Sequence, residues 1–178
     1  MAIALDTSAQ GYVASATSLT YSHTCTGANL ILFVGVASYA DTDVITGITY
    51  NSVSMTRIDR ASTTPGRACY LYYLIAPATG ANTIVVSRSG AGEIQCESIS
   101  YTGALQSGQP DAHITDFTDS AVSSRTTSLT TVAENCWIVS KQASSGSSVT
   151  AGTGLTARQL QNASGMGDSN GALAAGAN

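Results

Sequence analysis

The sequence predicts an all-β protein: a two-sheet antiparallel sandwich, jelly-roll-like or immunoglobulin-like in form. Three observations carry that prediction. No stretch combines sustained helical periodicity with helix caps. Runs rich in Val, Ile, Thr and Tyr recur about every ten residues with polar turns between them, as short strands of a sandwich or barrel do. Residues 29–36, reading Asn-Leu-Ile-Leu-Phe-Val-Gly-Val, form the longest nearly unbroken apolar run and contain no charge. A strand that is apolar on successive residues must be covered on both faces, so this run is expected to be a central strand.

The remaining elements follow in order. Residues 3–5 and 12–14 are short strand candidates around Gly11. Residues 18–25 alternate, with Leu19, Tyr21, His23 and Cys25 on one face. After the central strand, 44–50 and 53–60 are β-rich runs separated by Asn51-Ser52, a two-residue hairpin loop in which Asn can take positive φ. A loop at 62–66 precedes the aromatic-rich strand 68–76. Strands are then expected at 82–88 and 93–101, separated by a turn at Ser89-Gly90-Ala91-Gly92. A polar loop spans 102–110, and 124–132 and 136–142 read as a strand pair. The low-complexity stretch 144–153 reads as a loop, and 155–160 is the last strand.

A short repeat marks strand entries. Gly27-Ala28-Asn29 and Gly80-Ala81-Asn82 each lead into a strand, whereas Gly176-Ala177-Asn178 ends the chain. The expectation is one β-sandwich domain over 1–178 that lacks a final C-terminal strand. Either the sequence is incomplete, or a neighbouring subunit supplies the strand by β-augmentation.

Composition excludes several function classes. Ser and Thr supply about a quarter of the chain, suiting strands joined by polar turns. Seven basic residues face eleven acidic ones, and Lys141 is the only lysine. No basic stripe exists to neutralise phosphates, which argues against nucleic acid as a partner. No segment is long and apolar enough to span a bilayer, so no membrane partner is expected. The N-terminus lacks the basic and apolar regions of a signal peptide: the chain is used without secretion, or a leader is missing. Cys25, Cys69, Cys96 and Cys136 fall in four different expected strands with no zinc-like spacing. They read as buried thiols in preference to disulfides.

The chemistry-bearing residues do not form a catalytic signature. His23 lies on the apolar face of its strand with no nucleophile motif beside it, and reads as a satisfied core or interface histidine in preference to a catalytic base. His113 with Asp111 and Asp116 would suit a metal or acid–base cluster, against the simpler reading of a polar loop. Asp41 and Asp43 could share a calcium ion, but the EF-hand pattern is absent. Glu93 and Glu97 can share a strand face as glycosidase carboxylates do, yet read better as exposed strand charge, and Glu134 has no marked partner. Tyr70, Tyr72 and Tyr73 could form a sugar-stacking platform or an interface anchor, though at least one face is expected in the core. Gly90-Ala91-Gly92 is not a phosphate cradle, and Asn162-Ala163-Ser164 fits a glycosylation sequon of low specificity. No catalytic, cofactor-binding or metal residues are assigned.

Four stretches, 27–36, 45–56, 71–86 and 98–104, carry a resemblance that runs through most of the chain. Their order resembles a family of β-sandwich modules of tailed-phage virion proteins and bacterial surface proteins. The motifs are apolar strands, a hairpin turn and a proline–glycine corner, so no catalytic residue transfers. The resemblance implies a non-enzymatic structural role on a virion surface, assembled in the host cytoplasm, as capsid decoration or a tail or fibre module. The implied partners are a shell or tail protein and further copies of the chain. The alternative is an extracellular carbohydrate-binding or adhesion module of a bacterial surface protein, for which the partner would be a glycan. The four cysteines, and an end where the family would continue into another strand, depart from the pattern.

Overall fold

The computed structural model describes residues 2–64 and 66–177, which contain twelve strands and no helix. The strands are β1 (Ala4–Cys25), β2 (Ile31–Tyr39), β3 (Ile45–Tyr50), β4 (Val53–Ser54), β5 (Thr56–Ser62), β6 (Arg67–Ile75), β7 (Gly80–Thr102), β8 (Thr130–Thr131), β9 (Val139–Ala143), β10 (Thr156–Gln161), β11 (Ser164–Asp168) and β12 (Gly176–Ala177). Every pairing between them is antiparallel. The all-β, antiparallel class read from the sequence is what the structure has.

The main sheet runs β4-β3-β7-β2-β6-β5, with β1 also on β7. Its two longest strands are β1, of 22 residues, and β7, of 23. They pair along almost their whole length, from Ala4↔Thr102 to Cys25↔Gly80. The expected division of each into two strands is therefore corrected. The intended turn at 89–92 is part of β7, and the candidates at 3–5, 12–14 and 18–25 merge into β1. The register shifts between Val13, Ala16 and Ser18 show what the glycines and small residues do instead: they bulge the ladder.

Those bulges fold the pair over. In a straight strand Gly11 and Tyr21 would stand about 33 Å apart. A Cβ placed on Gly11 would lie 2.8 Å from the Tyr21 ring, so the two halves of β1 face each other. Likewise Tyr21 Oη lies 3.1 Å from Cys96 Sγ, although Tyr21 pairs with Ile84 and Cys96 with Gly11. On the far side of β7 its first half carries β3 and its second half carries β2. Between the halves sits the larger core, with Leu19, Ile48, Tyr50, Ile84 and Val86 from one and Leu32, Val34, Val36, Tyr70 and Ile94 from the other.

The central-strand expectation for 29–36 holds. Strand β2 is paired on both edges, by β6 and β7. Leu32, Val34 and Val36 enter the larger core, while Ile31 and Phe33 enter a second core on the opposite face with Ile99, Tyr101 and Met166. A three-stranded sheet, β10-β11-β9, covers that face. The Asn51-Ser52 hairpin also holds, with φ of 48° and 64° and the pair Tyr50↔Val53 flanking it. Gly27 and Gly80 take positive φ at their strand entries, as does Asn29, whereas Asn82 acts through its side chain, donating to the carbonyl of Thr79 at 3.1 Å.

The C-terminal third departs most from expectation. Of the strand expected over 124–132 only β8 forms, and it pairs with β12. Gly176 and Ala177 thus have strand partners, while Asn178, on which the expected open edge rests, lies outside the described residues. Cys136 makes an isolated bridge to Leu173 ahead of β9. Residues 103–129 contain no strand at all.

Leu32 is fully buried in the larger core. Leu32→Asp should cost roughly 3–5 kcal/mol, because it places an unpaired charge in apolar packing. Chemical denaturation should show this as a large drop in midpoint, and a midpoint close to wild type would contradict the placement.

Candidate functional site

Three groups of polar residues stand out once the fold is in place. The first lies between the two halves of the folded β1–β7 pair, toward the ends of the strands. His23 Nδ1 is 2.8 Å from Ser98 Oγ, and Nε2 is 3.0 Å from Ser100 Oγ. The Ser100 hydroxyl donates to Asp6 Oδ2 at 2.7 Å, so it accepts from Nε2–H, and Nδ1 is then the ring's acceptor, facing a Ser98 hydroxyl that also reaches the Ala9 carbonyl at 3.3 Å. Burial pushes Asp6 up, but hydrogen bonds from the hydroxyl and amide of Thr26 and from Ser100 outweigh it and hold its carboxyl below the usual range. The chain Ser98–His23–Ser100–Asp6 contains the residue types of a hydrolytic triad, but a hydroxyl separates carboxylate from imidazole and both serines are fully buried. Its chemistry here is to satisfy a histidine inside the core, as the sequence suggested.

The second group joins the small sheet to β7. Glu97 and Lys141 form an ion pair from which solvent is excluded, and Lys141 Nζ also meets Ser164 Oγ. Asp168 on β11 accepts from the Tyr101 hydroxyl at 2.7 Å and from both ends of the Arg158 guanidinium at 2.8 Å. Burial and the neighbouring Asp168 push the Tyr101 hydroxyl far above its usual range. Glu93 and Glu97 do share a strand face, but the exposed-charge reading is corrected. Glu97 is wholly buried, and Glu93 is bound by Arg67 at 2.8 Å. Each carboxylate has its own cation, so the two do not work as a pair.

The third group lines a shallow cleft of about 290 Å³ between Tyr39, Arg67, Glu93, Gln95, the 146–148 loop and the Asn162-Ala163 turn. The Arg67 guanidinium lies 4.0 Å from the centre of the Tyr39 ring. The cleft offers an aromatic edge, a carboxylate whose charge Arg67 offsets, and hydroxyl and amide groups from Ser147, Ser148 and Asn162. That mixture suits a neutral polyhydroxylated ligand. Nothing in the sequence pointed to it, because its residues come from the ends of β2 and β6, from β7 and from two loops.

The other sequence candidates are not brought together. His113 lies 3.9 Å from Asp59, Asp116 binds Arg125, and Asp111 accepts from Cys136 Sγ at 3.3 Å. Asp43 pairs with Arg57, while Asp41 accepts from the Gly66 amide. Tyr70 and Tyr72 are in the larger core and Tyr73 packs on the second, so the three form no platform. Gly92 makes room for Arg88, whose guanidinium a Cβ there would overlap. Asn162-Ala163 is the β10–β11 turn, with Asn162 at φ 44°, and Ser164 is buried. All four cysteines are free, and burial pushes the Cys96 thiol up to about 12 and Cys69 to about 11.

Searches against protein-family models, curated proteins and solved structures matched nothing.

The His23 network predicts an acid-sensitive core. Burial lowers the His23 pKa from 6.5 to about 4, with Asp6 opposing the shift. As pH falls from about 6.5 to about 4 the unfolded chain takes up a proton that the folded protein refuses, so stability is full above that window and lost through it. The loss should approach roughly 3 kcal/mol from this residue. Stability measured from pH 7 to 4.5 should fall less steeply in His23→Asn than in wild type; identical slopes would contradict the assignment.

Proposed function

We propose that the chain is a non-enzymatic structural module that works by protein–protein assembly on a virion surface, as capsid decoration or a tail or fibre component. In this reading the doubled-over main sheet is a two-sheet sandwich of jelly-roll-like or immunoglobulin-like kind, its two inner faces meeting at the larger core. The virion setting rests on the resemblance of the strand motifs. The assembly role rests on residues 103–129. That segment forms no strand yet presents Leu105, Ile114, Phe117 and Val122, each more than half exposed. It is tied along β5 by Thr115 to Asp59 and by the Thr64 amide to Asp119 at 2.9 Å. A tethered arm with its apolar side chains turned outward is suited to burial against a second protein. The partners proposed are further copies of the chain and a shell or tail protein.

A second reading, an extracellular carbohydrate-binding or adhesion module, is favoured by the cleft at Tyr39, Arg67 and Glu93. No helix of the described residues is long and apolar enough to cross a membrane, which is consistent with either setting.

Light scattering on size-fractionated protein tests the first reading. Wild type should be oligomeric, and Ile114→Ser with Phe117→Ser should shift it to monomer without lowering its melting temperature, because both side chains are exposed. A wild-type monomer at high concentration, unchanged by the substitutions, would count against self-assembly. Glycan-array binding lost in Tyr39→Ala would favour the second reading.

A further inference from the structure

We propose that Lys141 and Glu97 are joined in the mature protein by an amide bond between Lys141 Nζ and Glu97 Cδ. The inference does not depend on the proposed function. It rests on how the two side chains are brought together. Lys141 is the only lysine of the chain, and it projects from β9 into the layer between the two sheets. Its stem crosses β2 over Gly35, where a Cβ would overlap Lys141 Cδ and stand 2.8 Å from Met166 Sδ. Glycine at that place opens the channel the lysine occupies. The side chain ends against Glu97, directly across the ladder from Gly35.

At the meeting point Nζ touches Glu97 Oε2 and Ser164 Oγ. The carboxylate is fully buried, and its other oxygen, Oε1, has neither a protein partner nor solvent contact. An ionised carboxylate in that position leaves acceptor capacity unmet, which is costly inside a protein. Condensation removes both charges and leaves one carbonyl oxygen and one N–H, with Ser164 Oγ beside the nitrogen.

The step balances within the site. A proton passes from the Lys141 ammonium to the Glu97 carboxylate along the Nζ–Oε2 contact, giving an amine and a carboxylic acid. The Nζ lone pair adds to Cδ, and the Cδ–N bond forms. The Cδ–OH bond breaks, and the hydroxyl leaves with a proton from nitrogen, relayed by the Ser164 hydroxyl, as one water. No oxidant, cofactor or activated donor is needed. Two groups held in contact react with effective molarities of roughly 10⁵–10⁸ M, which lowers the barrier to a condensation that is slow between free partners. Exclusion of water from the layer protects the product from hydrolysis. The bond would tie β9 covalently to β7 and close a loop of the chain, removing conformations from the unfolded state as any internal cross-link does.

Intact-mass spectrometry of denatured, reduced full-length protein tests this. Wild type should be lighter than its calculated mass by one water, and trypsin should fail to cut after Lys141 and release a branched peptide containing Lys141 and Glu97. Lys141→Arg and Glu97→Ala should each have their full calculated mass. Wild type at its full mass, with cleavage after Lys141, would overturn the proposal, as would loss of water in Lys141→Arg. The wild-type spectrum decides the matter by itself if either variant fails to fold.

Discussion

The pairing of β7 with β1 is the constraint on which the rest of the structure depends. The two strands are paired on both sides of a fold that brings Gly11 against Tyr21. Neither strand ends at the fold: the pairs step from Ala16↔Gly92 to Ser18↔Ser87, residues 88–91 of β7 bulge out without a partner on β1, and both strands continue into the second half of the sheet. β7 then carries β3 on one half and β2 on the other. β1, β2 and β3 pair with β7 itself, β4 and β6 are attached through β3 and β2, and β5 is one strand further out on β6. Such long-range pairing is slow to form, and its gain is a core closed on itself once the fold-over is complete.

The most buried charges of the chain sit at the joints of this frame. His23, Ser98, Ser100 and Asp6 link the two halves away from the fold, near the strand ends. Glu97 with Lys141, and Asp168 with Arg158 and Tyr101, fasten the small sheet to the second half of β7. Arg67 and Glu93 close the end of that layer beside the cleft. Buried ion pairs add little to stability in themselves, but loss of one member leaves a charge stranded, so they fix one arrangement of the layers against others.

The sequence made the centre legible and the periphery obscure, for physical reasons that differ by element. Residues 29–36 announced β2 because a strand covered on both faces has no polar face to hide its pattern. Asn51-Ser52 announced its hairpin because that turn requires positive φ at both positions. The continuity of β1 and β7 was hidden, since small residues and glycines that bulge a strand look the same as those that end it. Strand β11, Ser-Gly-Met-Gly-Asp, was missed because its glycines are selected for close approach: a Cβ at Gly165 would stand 2.6 Å from Leu160 Cδ2, and one at Gly167 2.6 Å from the Thr156 carbonyl oxygen. Asn162, at positive φ, was the available signal for the turn before it. Glu97 read as exposed because a charge on an alternating strand usually is, and its partner lies 44 residues away on β9.

Native-state amide hydrogen exchange tests the central claim most directly. If β7 is one continuous strand paired through the fold, the amides of 94–101 and 83–87 should exchange at similar, slow rates and lose protection together as denaturant rises. Protection confined to one half, with the other opening independently at low denaturant, would show that the chain turns at 89–92 and that the two halves are separate units.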